Sequence, residues 1–264
     1  MILRLHISYD GTPFHGWQMQ PGGIPTVQGF LVEALAKILN KDIDDVALQG
    51  ASRTDAGVHA LGQVASTVID ERRDVWDYVR GLNALTPKQI SVNYGQLIEG
   101  RFNARHDTGG KRYEFRVWNH RFEHPLLCDR TWHYRLPLDL ERMQIAAAFL
   151  IGKHDFSAFQ AADCQSSTSI REVWKVEVDR DGHEIRIVVE GTAFLKNMVR
   201  IIAGTLVEVG CGLLEPDAVA RAVKTGRRDH AGMTAMPQGL TLVEVFYPDH
   251  PWDISPKIGC WEPG

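Results

Sequence analysis

The sequence predicts an α+β protein: two similar α/β halves around a mostly antiparallel sheet. Three observations carry this. Period-two alternation recurs, as where Leu3, Leu5, Ile7 and Tyr9 alternate with Arg4, His6 and Ser8; such segments are half-buried strands. Single amphipathic helices interrupt the strands. Asp181-Gly182 separates the alternating runs Trp174, Val176, Val178 and Ile185, Ile187, Val189, which signals a hairpin.

The elements follow in order. Asp10-Gly11 ends the first strand, and a Gly/Pro-rich loop follows. Thr26 is placed to cap a helix whose apolar face is Val27, Phe30, Leu31, Ala34, Leu35, Ile38 and Leu39. A strand is expected around Val64–Val68, a helix over Val75–Leu82 capped by Asp74, and a strand over 90–97. In the second half, Tyr113, Phe115 and Val117 alternate with Arg112, Glu114 and Arg116. A helix fits 140–151, and Leu195–Val209 reads as a helix apolar nearly all round. A short helix follows Pro216, and 240–247 reads as the last strand. These elements divide the chain into a first half over 1–105, a second over 106–250, and an extended or mobile tail over 251–264.

Composition excludes several classes. The chain of 264 residues is 44% hydrophobic and 23% charged, enough for a sizeable core. It lacks the run of about 18 apolar residues that a membrane span needs, and its first residues read as a strand and not a signal peptide. Cys128, Cys164, Cys211 and Cys260 are scattered, which suits a reducing cytoplasm and no metal or redox pair. No H-x-x-H or H-E-x-x-H spacing links His15, His59 or His106 to a metal site. The net charge of −4 argues mildly against nucleic acid. Yet Arg101, Arg105, Lys111, Arg112, Arg116 and Arg121 make one stretch basic on balance, and phosphates respond to a patch.

The sharpest feature is ASRTDAGVHALGQV, residues 51–64, which sets Arg53, Asp55 and His59 among small residues before a strand. Small neighbours let another molecule approach the backbone. On pattern alone this is either a reactive loop or a surface turn with a solvated Arg and Asp. It is not a phosphate loop, and Ser52 with His59 lacks the G-x-S-x-G elbow of a hydrolase. Arg200 lies on the helix that is apolar nearly all round. A buried arginine there requires a carboxylate partner, unless it snorkels to water from a helix end.

The segment RTDAGVHA with its downstream GQV resembles the signature of the tRNA pseudouridine synthase A (TruA) family, whose usual form has Gly where this chain has Ser52. The resemblance extends in order through YDGTPFHGWQ, TVQGFLVEAL, FNARHD, KRYEFRVWNH, DCQSSTSIREV, AFLKNMVRIIAGTLVEVG and GLTLVEVFYP, leaving out only the tail. It implies the pseudouridine synthase fold with a central active-site cleft. It implies an isomerase that turns uridine into pseudouridine in the anticodon stem-loop of tRNAs, at about positions 38, 39 and 40. The partner is tRNA, the assembly a cytoplasmic homodimer, and no cofactor, metal or membrane is involved.

The resemblance also assigns residues. Asp55 matches the nucleophile, which attacks the target nucleotide at the ribose C1′ or the uracil C6. Tyr113 matches the active-site tyrosine, and Arg200 the basic residue set against the aspartate, giving an expected Arg200–Asp55 ion pair. Arg53 matches the base-flipping arginine; extrusion of a stacked base costs a few kcal/mol, which a filling side chain offsets. The FNARH segment (Phe102, Asn103, Ala104, Arg105 and His106) matches an RNA-contacting segment that usually reads F-H-A-R-F. Ala162, Asp163, Cys164, Gln165 and Ser166 match a second RNA-contacting loop, where Ser167 and Ser169 replace the usual Arg and Thr-Pro. Two other readings compete: a non-catalytic RNA-binding protein or chaperone on the same fold, and a carboxylate-dependent hydrolase of small molecules.

Overall fold

The computed structural model describes residues 1–70 and 73–252. The expected tail lies almost wholly outside the described residues, as does Cys260. The strands are β1 (Ile2–Tyr9), β2 (Gln49–Gly50), β3 (His59–Val68), β4 (Ile90–Ile98), β5 (Gly110–Trp118), β6 (Trp132–His133), β7 (Gly152–Asp155), β8 (Ile170–Asp181), β9 (Glu184–Gly191) and β10 (Leu240–Phe246). The α-helices are α1 (Val27–Leu39), α2 (Val75–Leu85), α3 (Leu140–Ala148), α4 (Met198–Gly210) and α5 (Asp217–Thr225). One sheet runs in the order β4-β1-β3-β10-β5-β9-β8-β7, with β2 beside β3 and β6 beside β5. The architecture is α+β, and all pairings are antiparallel except β3–β10 and β5–β6.

The helix ends follow local chemistry. The Thr26 hydroxyl accepts from Gly29 N–H at 3.2 Å and starts α1. The Asp74 carboxylate accepts from Trp76 N–H at 2.8 Å and starts α2, which runs past the expected Leu82 to Leu85. Helix α3 stops short of the expected residue 151, because Phe149, Leu150 and Ile151 each donate to the carbonyl three residues back. The sequence also places the start of α4 at Leu195. The helix begins at Met198 instead, because Asn197 adopts the left-handed conformation with φ of 62°.

The joint of the sheet positions the site. Strands β3 and β10 pair only through His59 with Thr241 and Ala60 with Leu242. Past that point β3 pairs instead with the short β2. The loop carrying Ser52 to Val58 runs from β2 to β3 at this joint. The GTPFHGW loop backs it: Trp17 N–H donates to Thr54 O at 3.1 Å, and Trp17 is 1% exposed. Gly16 has φ of 89°, and a Cβ there would meet Thr54 O at 2.6 Å. Only glycine allows that approach.

Candidate active site

Asp55 and Arg200 meet across 145 residues of chain. Arg200 Nη1 donates to Asp55 Oδ2 at 3.3 Å and to Asn197 Oδ1 at 3.2 Å, while its Nε donates to Ala235 O at 2.8 Å. The side chains are 16% and 26% exposed, so the pair is partly desolvated and neither charge is sealed. The expected ion pair therefore forms, on an arginine half-buried rather than fully buried. Asn197 acts twice, starting α4 and buttressing the guanidinium.

Tyr113 rises from β5 beside this pair. It is 5% exposed, stands edge-on to Phe194 with ring centroids 5.2 Å apart, and shares a 2.7 Å hydroxyl–hydroxyl hydrogen bond with Ser52. Burial pushes its hydroxyl up to about 12, and the Asp55 charge acts in the same direction. At neutral pH it keeps its proton and can donate.

Ser52 differs from the glycine of the motif, and its structural role is now visible. Gln63, fully buried, accepts from Ser52 N–H at 3.2 Å and donates to Ser52 O at 2.7 Å. The Ser52 hydroxyl is then free to hold Tyr113. Tyr9 and Thr54 continue the network with a 2.7 Å hydroxyl pair. Ser52→Ala should lower stability by about 0.5–1.5 kcal/mol, the worth of one such bond. The same change made on Tyr113→Phe should add little, because the partner is already gone. A thermal-melt cycle over the four proteins checks this; additive losses would show that the bond contributes nothing.

His59 anchors the loop from below. Burial lowers its pKa, and Arg130 adds to this. The neutral ring accepts from Gly11 N–H at Nδ1, 3.0 Å, and donates from Nε2 to Gln238 O at 3.2 Å. Asp10 stands beside it, gripped by the two-pronged guanidinium of Arg130 at 2.7 and 2.9 Å. Burial works against that carboxylate, yet Arg130 and Thr12 hold it down to about 2.

The remaining sequence-selected residues divide. Arg53 and Arg105 are exposed, with no guanidinium partner among the described residues. Asn103 is turned to the backbone: its Oδ1 accepts from Arg105 N–H at 2.9 Å and His106 N–H at 3.2 Å, closing the turn that presents exposed Arg105 and His106. Phe102 and Ala104 are buried at 6% and 0% exposure and anchor that turn. Phe102 packs on Tyr247 and Arg4, and Ala104 N–H donates to Ser66 Oγ at 3.0 Å. Ala162, Asp163, Gln165 and Ser166 are exposed, and Cys164 is half-buried. Asp163 pairs with Lys196, which precedes α4. That bond raises the Lys196 pKa, and the nearby Asp55 charge adds to it.

Sequence reasoning did not select Gln63, Lys196 or Arg130, and it counted Lys111 only as one member of a basic stretch. An inward-facing Gln or Lys within an otherwise apolar strand face is the signal that could have marked Gln63 and Lys111. Cys128, Cys164 and Cys211 are free and half-buried. Among the described residues no group of three His, Cys, Asp or Glu could hold a metal ion, and no helix is long and apolar enough to cross a membrane.

The chain as a whole is similar to known proteins. A family model described as tRNA pseudouridine synthase matches residues 6–97 and 146–248. The chain belongs to the tRNA pseudouridine synthase family. This is a family of isomerases. A protein named tRNA pseudouridine synthase A from Geotalea uraniireducens is 46% identical over 245 residues, covering 93% of this chain and 99% of that one. One of the same name from Myxococcus xanthus is 46% identical over 250 residues, covering 94% and 93%. A third, from Geotalea daltonii, is 44% identical over 245 residues, covering 93% and 99%.

Proposed function

We propose that this chain isomerises uridine to pseudouridine in the anticodon stem-loop of tRNAs, at about positions 38, 39 and 40, with Asp55 as the nucleophile. The contact between Arg200 and Asp55 at 3.3 Å carries the reading. It sets a carboxylate against a fixed cation with about a quarter of its surface still open to a ligand. Arg200 steadies the carboxylate charge before attack and the leaving charge after it. Asp55 forms a covalent bond to the nucleotide at C1′ or C6 as the glycosidic bond breaks. The base turns, C5 forms the new bond to C1′ as the Asp55 bond breaks, and the C5 hydrogen leaves as a proton while N1 takes one up.

Tyr113 lies under the uracil, its ring held upright by Phe194 and its hydroxyl by Ser52. Arg53, exposed and unpaired on the same loop, fills the space that the extruded base leaves. Arg105, His106 and the loop 162–166 meet the RNA around it. Two copies of the chain act together on one tRNA in the cytoplasm.

Incubation with an unmodified tRNA transcript, without added metal or cofactor, tests the proposal. Pseudouridine is mapped by carbodiimide labelling and primer extension. Conversion at about positions 38 to 40 is the expected result. Binding without conversion of several such transcripts would instead favour the non-catalytic RNA-binding reading.

A further inference from the structure

Near Tyr113 lie three cations, Lys111, Arg171 and Arg105, none of which forms an ion pair with a carboxylate among the described residues. Lys111 sits two residues before Tyr113 on β5, on the same face and about 6.6 Å along the strand. Its row of the sheet passes through Gly191 of β9 to Val173 of β8. Arg171, two residues before Val173, shares that face, and the glycine between the rows leaves no side chain to separate the two cations. Arg105, on the turn that Asn103 closes, is near enough for its charge to act on Lys111.

These groups lack protein partners for their charge. Lys111 is 7% exposed, and its ammonium, not wholly sealed from solvent, makes no hydrogen bond or ion pair among the described residues. Arg171 donates from Nη1 to the carbonyls of Thr168 and Ile170, but its Nε is sealed and unpartnered. Asp163, on the adjoining loop, is already taken by Lys196. Burial first, and then the charges of Arg105 and Arg171, push the Lys111 ammonium down to about 8. A buried, unpaired cation among like charges works against folding. Its natural complement is an anion supplied from outside.

We infer that Lys111, Arg105 and Arg171 form a binding site for one phosphodiester of the bound RNA, next to the base held over Tyr113. The inference rests on the RNA substrate proposed above. One phosphate offers its oxygens to the compact ammonium of Lys111 and to the guanidinium groups flanking it. It offsets the mutual repulsion of the three cations. It also fixes the backbone of the target nucleotide while its base lies on Tyr113.

Lys111→Met, Lys111→Arg and the unaltered protein, as full chains, are compared in thermal melting and in binding of an unmodified tRNA transcript across salt concentrations. Lys111→Met should melt no lower than the unaltered protein, and higher where the relieved repulsion dominates. It should bind tRNA roughly tenfold more weakly, with a slope of log affinity against log salt shallower by about 0.7–0.9, the value of one lost phosphate contact. Lys111→Arg should keep the slope. If Lys111→Met fails to fold, Arg171→Gln carries the same slope test from a less buried position.

An unchanged slope in a folded Lys111→Met that binds an actively converted tRNA overturns the phosphate site and leaves the function standing. A slope that depends on Lys111 in a protein that converts no uridine does the reverse. Absence of any tRNA binding by the unaltered protein removes both.

Discussion

Asp55→Asn is expected to abolish pseudouridine formation, with kcat falling by about 10⁴-fold or more, as losses of covalent nucleophiles do. The substitution is nearly isosteric. The amide oxygen can still accept from Arg200 Nη1, now at 3.3 Å from the carboxylate, so the loop should hold its place. Stability should drop modestly, because both side chains are partly exposed and exposed pairs are worth little. The affinity for tRNA should stay within about threefold, since the cations proposed to face phosphate are untouched. Single-turnover conversion at saturating enzyme, together with equilibrium binding, reads both quantities. A kcat loss under tenfold would remove Asp55 from the nucleophile's role. A loss of binding equal to the loss of conversion would make it a structural residue of the RNA site.

Arg200→Met should have the second-largest effect. It removes the contacts to Asp55, Asn197 and the Ala235 carbonyl in one step. Deleting one fixed donor that stabilises reacting charge costs about 10²–10³-fold in kcat. KM should change little if the arginine acts through Asp55 and not on the RNA. The fold should lose about 1–3 kcal/mol from the unpaired carbonyl and carboxylate, a fall of several degrees in Tm for a chain of this size. Arg200→Lys retains the charge and loses the planar fork, so it should recover only part of the rate. The Asp55→Asn, Arg200→Met double variant should be hardly slower than Asp55→Asn alone, since the two act as one unit. A multiplicative loss would show that Arg200 works independently of the carboxylate.

Much of this architecture is legible along the chain because its signals are local. Alternation at Leu3, Leu5, Ile7 and Tyr9 and at Tyr113, Phe115 and Val117 marks strands whose inward residues are indeed buried. Thr26 and Asp74 mark helix starts because a cap needs only a side-chain oxygen within three residues. The start of α4 was misread because Leu195 continues the apolar pattern, and a left-handed Asn197 leaves no periodic trace. The end of α3 was misread because its last turn tightens while its composition stays helical.

The site divides in the same way. The motif around Asp55 could be read because small residues, a carboxylate and an arginine are contiguous there. The Ser52–Tyr113 bond could not, because it joins residues 61 positions apart and depends on Gln63 turning the Ser52 backbone. Lys111 looked like one member of a basic stretch. Its register with Gly191 and Val173 is what carries it to the buried face.

By itself, the sequence determined the seven longer strands and the five α-helices, the caps, and the residue types able to supply a nucleophile and a paired cation. Each depends on neighbours within a few residues. Only the tertiary structure decided that β3 and β10 would meet over two residues. It also decided that Arg200 would arrive at Asp55 from 145 residues away. And it left Lys111, Arg105 and Arg171 near one another with no ion-paired carboxylate among the described residues. Those outcomes belong to long-range packing, where the free energy of burying the whole sheet selects which distant side chains become neighbours.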